Sequence, residues 1–215
     1  MSRPTGGSPG ATAVVLIHGG LWEAMDADEF WGRTGVVRGL ERRGLAVDAP
    51  DRRQLAPDWR SEVRHLVDRL PDGPVVVIAG SNGCTAAVRL AEAHPGVVER
   101  LVLAWPATAC EPSVDERARA RLQEAGASPA TIADLLSGET LRGITDAALA
   151  GLTMPVGVLP SDPENRLHQR RTVDALLRVL PHAELLPGCP EPPSPAFPSH
   201  LEACVASLAA FARLA

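Results

Sequence analysis

Ser81 stands at the end of the wholly apolar run Val75-Val76-Val77-Ile78-Ala79, inside Gly80-Ser81-Asn82-Gly83-Cys84, with a helical pattern directly after it. A buried strand that turns straight into a helix holds its central residue in a strained backbone conformation. That residue's side chain is pushed out beyond the strand's carboxyl edge. Strand and helix approach each other closely there, so the flanking positions must be small, and Ala79 and Gly83 meet that demand. The helix N-terminus aims amide groups at the same point, ready to hold an oxyanion. Such a serine suits nucleophilic attack, given a base to take its proton and a carboxylate to orient the base. Two other readings stay open. A shifted register centres Asn82 between Gly80 and Cys84 and leaves no nucleophile, and an ordinary small-residue turn needs no chemistry.

A second group lies after the first apolar run, where His18-Gly19-Gly20-Leu21-Trp22 follows Ala13 to Ile17. Glycines there let the backbone come close to a substrate oxygen. His18 reads as a structural residue of this loop rather than a base.

The elements that must position these groups alternate between short apolar runs and helical patterns, the signature of parallel strands joined by crossover helices. Strands are expected at Ala13 to Ile17, Leu45 to Val47, Val75 to Ala79, Leu101 to Trp105, Pro155 to Leu159 and Ala183 to Leu186. Between them lie amphipathic stretches at about Asp28 to Arg43, Trp59 to Leu70, Cys84 to Ala93 and Arg166 to Leu180, with a closing helix that ends near Leu214. Residues 106 to 150 break the rhythm. They offer helical pieces at Val114 to Glu124, Pro129 to Leu136 and Leu141 to Leu149 but no strand, and so read as a helical cap inserted in a single domain spanning 1 to 215. The Pro-rich loop Pro187 to Pro198 leads into the last helix.

Ala79-Gly80-Ser81-Asn82-Gly83, followed by Ala86, Ala87, Leu90, Ala91 and His94-Pro95, resembles the nucleophile elbow of the α/β-hydrolase superfamily in register, with alanine for the first glycine. The His18-Gly19-Gly20 loop is similar to that superfamily's oxyanion loop. The resemblance spans nearly the whole chain and implies an α/β fold: a six-stranded, mainly parallel sheet with helices on both faces and a short helical cap. Only about ten residues precede the first strand, so the superfamily's leading hairpin is not expected.

The resemblance also implies roles. The amides of Gly20 or Leu21 and of Asn82 would form the oxyanion hole. The superfamily's order is serine, acid, histidine. Leu159-Pro160-Ser161-Asp162-Pro163 is similar to its acid loop, which makes Asp162 the acid candidate and Glu164 the reserve. The histidine is expected shortly after the last strand. Pro187-Gly188-Cys189-Pro190-Glu191 holds none there, so His200, at the start of the closing helix, is the candidate base. A base supplied by the substrate, or no base, is the alternative. Trp22, Trp105, His168 and Phe197 are candidate lining of a modest, partly apolar substrate pocket, with the surface as the other reading of His168. The implied activity is serine hydrolysis of a small ester, thioester or lactone. The competing reading is a site repurposed for isomerase, lyase, cyclase or binding-only function.

Composition narrows the field. The chain of 215 residues has a formal charge of -5 and no lysine, which argues against nucleic acid as a partner. Met1 to Gly10 shows no basic-then-apolar leader, and no apolar run is long enough to span a bilayer. Cytosolic placement is therefore expected. Cys84, Cys110, Cys189 and Cys204 lack metal-ligand spacing and read as reduced, buried residues, so neither metal nor cofactor is expected. A homodimer built on the last helix or the cap is the assembly to test.

Overall fold

The computed structural model describes residues 12–22 and 25–213; the expectations placed on Met1 to Gly10 and on Leu214 lie outside them. Six strands form one sheet in the order β2-β1-β3-β4-β5-β6, and every neighbouring pair is parallel. They are β1 (Ala13–Ile17), β2 (Ala46–Asp48), β3 (Val75–Gly80), β4 (Val98–Ala104), β5 (Val156–Leu159) and β6 (Ala183–Leu185). The helices are α1 (Val36–Arg42), α2 (Trp59–Val67), α3 (Gly83–Ala93), α4 (Pro112–Glu124), α5 (Pro129–Leu135), α6 (Asp146–Ala150), α7 (Arg170–Val179) and α8 (Leu201–Arg213).

The period-two geometry of a strand sends alternate side chains to opposite faces of the sheet, and both faces are covered. Val15, Ile17, Val77 and Ala79 pack with Trp59, Val63 and Leu66 of α2, Ala87 and Leu90 of α3, and Val173 and Leu176 of α7. On the other face, Val14, Leu16, Val76 and Ile78 meet Phe30, Trp31, Leu40 of α1 and Val205, Leu208 and Phe211 of α8. The chain leaves β1 toward one edge, returns, and builds the rest of the sheet from β3 toward the other. The loops after β1 and β3 therefore diverge at a topological switch point, where an open α/β sheet presents a crevice at the carboxyl ends of its strands.

Several expected helices are shorter than their patterns, two of them with consequences for the site. Asp28 to Arg43 divides into a π-helical turn at Asp28–Gly32 and α1, separated at Gly35, whose φ of 88° ends the first piece. The Thr34 hydroxyl donates to the Phe30 carbonyl (2.8 Å) in this break, and Phe30 and Trp31 are carried into the core. The helix expected from Arg166 begins only at Arg170. The Asn165 side-chain oxygen accepts from the amides of Leu167 (2.9 Å) and His168 (3.2 Å), a local turn that competes with helix formation.

Residues 106–150 hold α4, α5 and α6. Leu141 to Ile144 forms a bridged turn in place of helix. Ser128 caps α5 by accepting from the Thr131 amide (3.1 Å), and Pro129 fills a first-turn position that needs no donor. The segment is fastened to the sheet layers at three points: the Trp59 amide donates to Asp134 (2.9 Å), Arg89 to the Gly143 carbonyl, and Arg142 to Asn82 (3.1 Å). Among the described residues, no helix is long and apolar enough to cross a membrane.

Candidate active site

β3 is buried along its whole length between β1 and β4, and it delivers Ser81 to the sheet's carboxyl edge. Ser81 takes a left-handed φ of 53°, whereas Asn82 has an ordinary φ of -65°, so the strained position of the turn falls on Ser81. The Ser81 amide still bonds the Ala104 carbonyl (3.0 Å), and its carbonyl accepts from the Cys84 amide (3.1 Å). Gly83 is required by contact: a side chain there would collide with the backbone oxygens of Ile17 and His18. Beneath the turn the Cys84 thiol donates toward the Ala79 (3.4 Å) and Ala104 (3.5 Å) carbonyls, and burial pushes its pKa far up, so it stays an inert packing group.

The partner of the Ser81 hydroxyl is His168: Oγ lies 2.9 Å from Nε2. On the other side of the ring, Nδ1 is 2.5 Å from Glu191 Oε1, a close contact though not aligned along the ring's N–H. The two side chains are only 12% and 16% exposed. Glu191 Oε1 also accepts from the Ser161 hydroxyl (2.8 Å) and the Asn165 amide group (2.5 Å). Burial pushes the Glu191 carboxyl upward, but His168 and Ser161 outweigh that penalty and hold it down at about 2.

Main-chain bonding fixes both members. Thr108 brackets His168, its amide donating to the Leu167 carbonyl (2.7 Å) and its hydroxyl accepting from the Gln169 amide (2.9 Å). Glu191 follows Cys189, which continues the β5–β6 pairing through a parallel bridge to Ser161. The Cys189 carbonyl accepts from the Trp105 indole (2.8 Å) and the Asp162 amide (3.2 Å). Along the chain the set runs serine, histidine, acid: the loop after β5 supplies the histidine and the loop after β6 the acid, each in the other's expected place.

That exchange corrects several expectations. Asp162 is exposed and contributes its amide, not its carboxylate, to the loop. Glu164 is exposed and accepts from the Arg170 amide (2.7 Å). His200 is exposed at the end of a single 3-10 turn (Phe197–Ser199), with no contact to Ser81, because the Pro-rich loop has already turned away after placing Glu191. Trp105 and Phe197 do not line a pocket. Both are fully buried, with ring centroids 6.3 Å apart, in an aromatic cluster with Phe30 and Trp31. Trp22 is half-buried with its indole donating to the Ala56 carbonyl (2.9 Å), and it shares a cleft with Leu21, Met25, Arg53 and Leu135. Cys110 is exposed, unlike the other three cysteines.

Glu191 was not singled out as a site residue. Its signal is positional: Glu191 is the first charged residue after the last strand's final apolar residues, where the resemblance puts the histidine. The sequence offers His168 as pocket lining or as a surface residue, not as the base, since it falls within the helical pattern that starts at Arg166.

The loop after β1 is held from behind. His18 is buried; its Nδ1 faces the Gly19 carbonyl (2.8 Å) and its Nε2 accepts from the Arg52 amide (2.9 Å). Accepting at Nε2 requires the neutral ring, and burial together with the Arg52 charge lowers its pKa accordingly. Gly20 has a φ of 87° and lies at the cleft with Leu21. Among the described residues, the amides of Gly20, Leu21 and Asn82 donate to no protein acceptor. The Asn82 side chain is fixed by Arg142 (3.1 Å), which also pairs with Asp115 (2.9 Å). No cluster of three or more His, Cys, Asp or Glu with metal-holding geometry occurs among the described residues.

No protein-family model matches the sequence. No curated protein matches it either. Solved structures do match. A 2-hydroxy-6-oxo-6-phenylhexa-2,4-dienoate hydrolase from Rhodococcus sp. strain RHA1 superposes with a TM-score of 0.70 at 18% identity, covering 97% of this chain and 92% of that one. An α/β-hydrolase enzyme from the metagenome of lagoon sediments at Mar Chica, Morocco, gives 0.65 at 18% identity, covering 92% and 89%. The thioesterase domain of the curacin biosynthetic pathway gives 0.60 at 17% identity, covering 97% and 93%. With the all-parallel sheet and these neighbours together, the chain has the α/β-hydrolase fold.

Proposed function

We propose that the protein is a serine hydrolase acting on a small ester, thioester or lactone. Ser81 is the nucleophile, His168 the general base and Glu191 the orienting acid. The observation that carries this reading is the contact chain from the Ser81 hydroxyl through His168 to the Glu191 carboxylate, at 2.9 and 2.5 Å. With the proton on Nδ1 facing Glu191, Nε2 is free to accept the serine proton as Oγ attacks the substrate's carbonyl carbon. The carbonyl oxygen gains the electron pair and would rest on the amides of Asn82 and of Gly20 or Leu21. Collapse breaks the bond to the leaving oxygen or sulfur, which takes the proton from His168. Water then attacks the acyl-serine by the same relay, releasing acid and free Ser81.

Hydrolytic activity is named for the Rhodococcus and Mar Chica neighbours, and thioester cleavage for the curacin domain. The half-buried Leu21 and Trp22 beside the loop support a modest acyl group. A repurposed, non-hydrolytic site is the competing reading; the Ser81–His168 contact supports hydrolysis over it. The test is rapid-quench mass spectrometry with p-nitrophenyl acyl esters and acyl thioesters of increasing chain length. A Ser81 acyl adduct that forms and decays at the rate of turnover is expected. No adduct and no turnover with any member of either series would overturn the proposal.

A further inference from the structure

We infer that Arg52 is a positioning residue that sets the oxyanion loop from behind; the inference rests on the serine-hydrolase reading. Arg52 follows β2, is 7% exposed, and directs one nitrogen, Nη1, at three successive carbonyls: His18 (3.0 Å), Gly19 (3.0 Å) and Gly20 (2.7 Å). In a planar trans peptide the N–H points opposite to the C=O of the same unit. Gathering these three carbonyls on one cation therefore turns the amides of Gly19, Gly20 and Leu21 to the opposite side. Gly19 itself lies against the nucleophile, with Ser81 Cβ 3.1 Å from where a Gly19 side chain would begin.

The guanidinium has little left for a substrate. Its Nε meets Glu62 Oε1 and its Nη2 meets Glu62 Oε2 (3.1 Å), with Glu62 only 3% exposed. The Trp59 ring lies 6.0 Å from its centre, and the Arg52 amide holds His18. With nearly all of its donors so engaged, Arg52 is not a binding site for an anionic substrate; its geometry serves the loop. A lysine cannot reproduce this, because one ammonium lacks the fork that spans Glu62 and three carbonyls at once. The fixed dipoles of the loop are then already aimed when charge develops on the substrate oxygen.

The test compares the wild type with Arg52→Lys and with the double variant Arg52→Met/Glu62→Leu, which leaves no unpaired buried charge. Each is normalised by active-site titration. Turnover of a p-nitrophenyl ester and inhibition by phenylboronic acid, which forms a tetrahedral anionic adduct on a serine, are measured together. For the double variant, kcat about 100-fold lower is expected, with KM within about threefold and a boronate inhibition constant that rises in step. Arg52→Lys is expected to fall between, and whichever variant folds decides. A folded variant with unchanged kcat and boronate affinity overturns the role of Arg52. So does a kcat loss that leaves boronate affinity untouched. Absence of turnover in the wild type would instead strike at the hydrolase reading itself.

Discussion

Glu191 is the residue on which the site departs most from expectation, and its ionisation gives a check that does not depend on activity. Its carboxyl is held at about 2 in the folded chain against an ordinary 4.5. A depressed carboxylate stabilises the fold fully above its unfolded value and loses that contribution as pH falls through the folded one. The stability gap between wild type and Glu191→Gln is therefore expected to be widest above pH 4.5 and to close toward pH 2. Urea unfolding at pH 6 and pH 3 measures it, and a gap that does not change with pH would contradict the assignment. His18 gives a second check of the same kind. Its neutral form is the folded form, so its contribution is full above pH 6.5 and declines as the pH falls below that value. His18→Gln should flatten that part of the wild-type stability profile, and an undiminished decline would count against a buried neutral ring.

Among the elements, the turn before α7 has the most influence on chemistry. Asn165 accepts the amides of Leu167 and His168 and donates to Glu191, so one side chain places both the proposed base and its proposed acid. Asn165→Ala is expected to lower kcat about 10- to 100-fold, with KM and melting temperature little moved, since small misplacements of catalytic groups are costly. A kcat within twofold of wild type would show that Thr108 and Ser161 suffice. The strands and α3 were legible in the sequence because β-branched runs and a small-residue turn leave few other solutions there, and Ser81 was legible with them. The start of α7 was not. Helical spacing from Arg166 onward looks the same whether the first turn is helix or an Asn165-capped loop, and only the latter frees His168 to reach Ser81. Likewise, nothing local in Pro190-Glu191-Pro192 tells that a bridge between Ser161 and Cys189 carries Glu191 to the ring.

For the molecule as a whole, the parallel sheet brings the loops after its six strands to one edge, and residues 106–150 are tied to that edge through Arg142. That side chain is buried and joins Asp115 of α4 to Asn82 beside Ser81. Arg142→Ala should cost about 2 kcal/mol of stability, the order expected when a buried charged partner is removed, and urea titration reads it. A loss below ~0.5 kcal/mol would mean that Arg89 and Asp134 hold the segment unaided. The assembly of loops after β3, β5 and β6 into one relay is most directly tested by labelling with a fluorophosphonate probe, followed by intact mass and peptide mapping. A single adduct on Ser81 is expected, formed at wild-type rate in His200→Ala and abolished or slowed at least 100-fold in His168→Ala. No Ser81 adduct in the folded wild type, or one that depends on His200 and not on His168, would contradict the account.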